Sequence, residues 1–145
     1  MSAYADTGFI ISLMTPDANS RAATGRMGKQ DLPLLWTWLH ELEFRNALRL
    51  RVFRKELTRA EVDRTIAQML ADLAAGIYLR REPDPSQLAL EAERLSAGWS
   101  AKLGTRSLDV LHVACALELG ASEFLTFDKR QAALAKSAGM SVPSL

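Results

Sequence analysis

Four acidic residues stand against apolar runs that read as core. Asp6 lies between Ala3 to Ala5 and Phe9 to Ile11, with no Lys or Arg within ten residues. Asp128 likewise follows the run Leu125-Thr126-Phe127. Glu43 belongs to the helical stretch that begins at Trp38. At 100° per residue it falls among Leu39, Leu42, Asn46, Ala47, Leu50 and Phe53, whereas Glu41 points to the opposite side. Asp109 opens a stretch, Val110 to Leu117, that is apolar nearly all round and reads as a buried helix; its amino end favours an ionised acid. Burying an unpaired carboxylate costs on the order of several kcal/mol, and no matching set of four bases accompanies these acids. One divalent cation site would serve them all. Oxygen donors without clustered His or Cys select Mg²⁺ or Mn²⁺ over Zn²⁺. Beside an acidic cluster such an ion acts on phosphate esters.

The elements that must carry these acids follow from the alternation of short apolar runs with helical stretches. Strands are predicted at Ala3 to Ala5, Leu34 to Thr37, Ile77 to Leu79 and Glu123 to Phe127, with Ser141-Val142 as a small fifth. Helices are predicted through Leu13, after Pro16, from Trp38 to about Lys55, and from a capping box at Thr58 and Glu61 to Gly76. Three more run from Ser86 to Trp99, from Ser107 to Leu119, and from Lys129 to before Gly139. Strands separated by helical crossovers imply an α/β fold with a mostly parallel sheet, and ligands of such sheets bind beyond the carboxyl ends of the strands. Asp6 and Asp128, each just past a strand, should meet at that edge.

The 145 residues, 48% apolar, suffice for one domain spanning the whole chain, residues 1–145. A net charge of +1 excludes a general polyanion coat. The single Cys115 allows no intrachain disulfide. No export signal or membrane-spanning run is visible, so a soluble cytoplasmic protein is expected. Other readings compete at each position. Asp6 and Asp128 are also good helix caps, and Asp109 a first-turn dipole acid. His112 reads as a hydrogen-bonded core histidine and His40 as a surface one. Arg45, Arg49, Arg51, Arg54 and Lys55 form either a solvated helix face or a strip that guides phosphates. Phe44, Leu48 and Val52 make a second apolar stripe on the same helix, which needs a cover. A dehalogenase-type phosphohydrolase is disfavoured, because it wants an acid at position 8, where Gly8 stands.

Taken together, Tyr4-Ala5-Asp6-Thr7, Glu43-Phe44-Arg45-Asn46-Ala47-Leu48, Asp109-Val110-Leu111-His112-Val113-Ala114 and Leu125-Thr126-Phe127-Asp128 resemble, in order and spacing, the motifs of PIN-domain proteins of the VapC toxin type. The resemblance implies a three-layer α/β/α fold with a short, mostly parallel central sheet of four to five strands. It also implies a metal-dependent endoribonuclease, a homodimer, and a small antitoxin that blocks the site. Carried over, Asp6, Glu43, Asp109 and Asp128 become metal ligands and catalytic acids for Mg²⁺ or Mn²⁺. Thr7, Asn46 and Thr126 become supporting polar groups. Arg106 and Arg130, beside two of the acids, would meet RNA or the antitoxin. The family often carries Ser where Gly8 stands. A catalytically silent module that binds RNA or a partner protein is the alternative.

Overall fold

The computed structural model describes all 145 residues. Four short strands, β1 (Tyr4–Ala5), β2 (Leu34–Trp36), β3 (Tyr78–Arg80) and β4 (Phe124–Leu125), form its centre. β1 pairs in parallel with β4, and β2 in parallel with β3. A parallel bridge from Ala3 to Leu34 joins the halves, with the Leu35 N–H donating to the Ala3 carbonyl at 2.8 Å, so the strand order is β3-β2-β1-β4. The chain therefore leaves β1 in one direction to build β2 and β3, and returns to its other side for β4. That reversal places a crevice between the carboxyl ends of β1 and β4.

Alternation along the strands explains the two cores. Ala3, Ala5, Leu34, Trp36, Tyr78 and Leu125 turn to one face, while Tyr4, Leu35 and Phe124 turn to the other. Helices α1 (Thr7–Met14), α2 (Ser20–Met27), α3 (Trp38–Phe53) and α4 (Arg59–Ala74) cover the first face. The second is covered by α5 (Pro85–Leu95), α7 (Ser107–Glu118) and α8 (Lys129–Ser137). This is a three-layer α/β/α arrangement. No helix is long and apolar enough to cross a membrane.

Four expectations about the fold need correction. Ser141 contributes only an isolated bridge to Glu123, so the fifth strand does not form; Pro143 follows too soon to extend the ladder. The helix expected to run unbroken from Ser86 to Trp99 stops at Leu95, widens into a π turn at Ser96–Ser100 that contains Gly98, and resumes as the short α6 (Ala101–Leu103). The core face of α3 is also not the one expected. Leu39 is buried, but Leu42 and Phe53 are 60% and 83% exposed, while Phe44 and Leu48, from the second stripe, are fully buried. The Trp36 and Phe44 rings pack edge to face, and each such side chain contributes about 1.5–3 kcal/mol on burial, so the stripe that meets Trp36 takes the core.

His40 is the fourth correction, buried rather than exposed. Its Nδ1 accepts the Thr37 N–H at 3.0 Å as part of the α3 capping box, and its Nε2–H donates to the Ala5 carbonyl at 2.7 Å. The ring thus fastens the start of α3 to the end of β1, one residue before Asp6. Burial lowers its pKa from 6.5 to about 3, with the nearby His112 adding to the shift. Because the folded ring stays neutral where the unfolded one gains a proton, its contribution is complete above pH 6.5 and is lost as pH falls towards 3. Chemical denaturation across this range should show His40→Gln less stable at neutral pH than wild type. Its stability should also depend on pH less steeply, by up to about 1.4 kcal/mol per pH unit.

Candidate active site

Asp6, Glu43, Asp109 and Asp128 all line one cleft of about 410 Å³ at the carboxyl edge of β1 and β4, together with Thr7, Gly8, Ser12, Asp17, Asn19, Arg51, Arg106, His112 and Gln131 among others. Each acid reaches it by a different local device. Asp6 ends β1 and caps α1, its Oδ1 accepting the Phe9 N–H at 2.7 Å. Its Oδ2 accepts the Thr126 hydroxyl at 2.6 Å, a contact set by the parallel register of β1 and β4. Burial pushes the Asp6 carboxyl upward, opposed by these two donors. Asp128 caps α8 through the Gln131 N–H at 2.8 Å, and its own N–H donates to the Thr126 hydroxyl at 2.9 Å. Thr126 therefore ties two of the acids together.

Glu43 leaves α3 beside the buried stripe and meets α1 and α7. Its Oε1 accepts the Thr7 hydroxyl at 3.0 Å and a hydrogen bond from His112 Nε2. Burial raises the Glu43 carboxyl, but the His112 and Thr7 donors outweigh that and hold it below its ordinary value. Asp109, in the first turn of α7, accepts the Arg106 N–H at 3.3 Å and lies 3.5 Å from the Arg106 guanidinium. The capping and site readings of these acids are compatible, since each cap uses only part of the carboxylate. No internal hydrogen bond reaches Glu43 Oε2, Asp109 Oδ1 or Asp128 Oδ2. Gly8 borders the mouth beside Asp6, and an added Cβ there would stand in ordinary contact, 3.6 Å from Oδ1.

The remaining expected residues divide. Thr7 and Thr126 support the acids. Asn46 is exposed, lies outside the cleft and makes no side-chain hydrogen bond, because the phase of α3 turns it to solvent. Among the basic residues, Arg51 and Arg106 line the cleft. Arg51 is held there by Thr15 at 2.8 Å and by Asp17 and Glu56 at 3.9 Å. Arg45 turns away to Glu41 at 2.6 Å, while Arg49 and Arg130 are exposed outside it. Glu41 also binds Arg80 and the Trp36 indole, on the other side of α3 from Glu43.

Sequence reasoning placed His112 in the core and missed that it touches the acids; its spacing of three from Asp109, one turn along the same face, was the available signal. Gln131, Asp17 and Asn19 arrive through cap and loop geometry that carries no periodic signal, whereas Ser12 reaches the cleft from within α1.

The donor chemistry fits a hard divalent cation: carboxylate and hydroxyl oxygens, one histidine already engaged, and no cysteine in the cleft. No three His, Cys, Asp or Glu side chains stand close enough to hold an ion by direct bonds alone. A larger cavity, about 870 Å³, opens at the amino edge of β2 and β3 between α1, α2 and α4, away from the four acids.

Comparison with known proteins agrees with this arrangement. Among solved structures, the toxin VapC20 of Mycobacterium tuberculosis, described as cleaving the sarcin-ricin loop, superposes with a TM-score of 0.70 at 16% identity, covering 96% of each chain. FitAcB from Neisseria gonorrhoeae gives 0.64 at 17% identity, covering 98% of this chain and 96% of that one. PAE2754 from Pyrobaculum aerophilum gives 0.64 at 17%, covering 98% and 83%. Comparison with curated protein sequences gives no match. The family profile described as PIN domain matches residues 3–137, nearly the whole length, and the chain belongs to the PIN domain family.

Proposed function

We propose that this protein is a metal-dependent endoribonuclease and the toxin of a toxin–antitoxin pair, working in the cytoplasm as a homodimer that a small antitoxin protein holds inactive. The observation that carries the reading is the convergence of Asp6, Glu43, Asp109 and Asp128 on one cleft at the switch point of a parallel sheet. VapC20, which shares the fold, is described as a sarcin-ricin loop cleaving toxin, and this supports RNA as substrate.

Asp6, Glu43 and Asp109 would hold Mg²⁺ or Mn²⁺, with Asp128 reaching it through water or a second ion. Mg²⁺ keeps several of its waters, which suits carboxylates spaced too widely for direct chelation. When bound, such an ion lowers the pKa of water and offsets charge on a phosphate. The chain's own groups prepare the site. Thr126 and the Phe9 N–H favour ionised Asp6 against its burial, and Thr7 and His112 hold Glu43 ionised and fixed in direction. Arg106, 79% exposed at the cleft, can meet a substrate phosphate, and Arg51 lends further positive charge to the cleft. Arg45, Arg49 and Arg130, outside the cleft, would serve only RNA that runs beyond it. The wide spacing of the acids also favours a second reading, a silent module that binds RNA or a partner without cutting.

Cleavage of mixed RNAs before and after chelation separates the two. Activity should disappear in EDTA and return with Mg²⁺ or Mn²⁺. Binding without any cutting would support the silent module, and cutting that survives complete chelation would rule out the metal mechanism.

Glu43→Gln should lower the cleavage rate by at least about two orders of magnitude, roughly 3 kcal/mol of transition-state stabilisation. Glu41→Gln loosens Arg45 and Arg80 on the far side of α3 and should leave the rate within about twofold. Equal losses from the two variants would refute the assignment of Glu43.

Asp6→Asn probes the cost of burying charge. Since the folded carboxyl is raised by burial, its ionised form opposes folding near neutrality. Thermal melting without metal should therefore show the variant as stable as wild type or more so. Adding Mg²⁺ should raise the melting temperature of wild type only.

A further inference from the structure

We infer that Tyr4 and His112 form a buried hydrogen-bond chain that positions Glu43, aiming its Oε2 into the cleft; the inference rests on the metal-nuclease reading above for what Glu43 then does. His112 is 3% exposed and Tyr4 fully buried. The Tyr4 hydroxyl lies 2.8 Å from His112 Nδ1, and His112 Nε2 contacts Glu43 Oε1. A carboxylate can only accept, so Nε2 carries the hydrogen. In the neutral ring Nδ1 is then an acceptor, and the only group bonded to it, the Tyr4 hydroxyl, is its donor. The chain runs in one direction, from Tyr4 through His112 to Glu43.

Neighbouring packing fixes both rings. Tyr4 stacks on Phe124 of β4, with ring centres 5.6 Å apart and planes 11° from parallel, and it tilts against His40 at 4.8 Å. His112 meets Tyr4 edge-on at 5.7 Å and His40 at 5.2 Å. Thr7, 3.3 Å from His112 Nε2, donates to the same Glu43 oxygen. With Oε1 occupied by two donors and the torsions of Glu43 thereby restricted, Oε2 is the oxygen left for the cleft. Partners that orient a ligand through its occupied atom typically change metal affinity by about tenfold to a hundredfold.

The test uses the full-length protein without RNA, so that metal affinity is read apart from cleavage. Mn²⁺ binding is followed by the loss of its free electron-spin signal, and the ¹⁵N shifts of the histidine rings report the tautomer. Wild type should show His112 protonated on Nε2. Tyr4→Phe keeps the stacked ring, and should weaken Mn²⁺ binding about fivefold to tenfold while blurring that tautomer signature. His112→Leu should weaken binding by about tenfold or more. His112→Gln, which can return an N–H near the lost Nε2, should stay within about threefold of wild type. Because Tyr4 acts through His112, the double variant Tyr4→Phe/His112→Leu should bind no worse than His112→Leu alone. Unchanged affinity in Tyr4→Phe, additive losses in the double variant, or failure of the Gln variant to rescue a folded protein would each overturn the chain. Absence of Mn²⁺ binding in wild type would instead overturn the metal reading, and this inference with it.

Discussion

Everything at the carboxyl edge of the sheet depends on keeping carboxylates charged where water is scarce. Asp6 is 8% exposed, and burial acts against its ionised form and that of Glu43 alike. The protein answers at these two acids with hydrogen-bond donors rather than with Arg or Lys. A backbone N–H and a threonine hydroxyl hold Asp6, while a threonine and a histidine hold Glu43. Arginines would neutralise the charge and spend it. Hydrogen-bond donors keep the anion and leave its field directed into the cleft, which is the condition under which a cation or a metal-bound substrate is attracted to it.

That arrangement constrains the fold more than the fold constrains it. Thr126 reaches Asp6 only because Ala5 pairs with Leu125 in parallel register, and a slip by one residue would turn Thr126 to the other face. Glu43 reaches Thr7 and His112 only if the first turn of α3 sits against the end of β1, where His40 fastens it through the Ala5 carbonyl. Two buried histidines thus divide the labour. His40 fixes backbone to backbone, and His112 fixes one side chain. Solved structures at 16% and 17% identity keep the same three layers, as expected if selection acts on register and face alternation while the residues filling each face vary.

The sequence showed the strands and helix caps well because these are local. Thr58 and Glu61 form the capping box of α4 as expected, and each of the four strands lies within the range expected for it or one residue beyond. It showed the phase of α3 poorly. Two apolar stripes share that helix, and hydrophobicity alone does not say which one the sheet will cover. The choice follows from the volume of Trp36 and its packing on Phe44, a tertiary fact. Glu43, beside the stripe that is buried, still meets the cleft. Asn46 does not, and so its expected role was lost when the phase changed. His40 was misplaced for a related reason: its side chain satisfies backbone groups at both ends, Thr37 and Ala5, and only the latter contact requires the fold.

The competition between helix cap and metal ligand, which the sequence left open for Asp6 and Asp128, dissolves once lone pairs are counted. A carboxylate offers about four acceptor positions, and a cap uses one. Asp128 spends one oxygen on the Gln131 N–H and retains the other; Asp6 spends one lone pair of each oxygen. Capping even assists the second role, since the amino end of a helix favours the ionised form that a cation requires. An acid placed directly after a parallel strand and before its crossover helix is therefore anchored by the backbone at the cost of one acceptor position out of about four. Glu43, which arises in mid-helix and has no backbone N–H to anchor it, is the acid that needs side chains for the purpose, and it is the one to which Thr7 and His112 are directed.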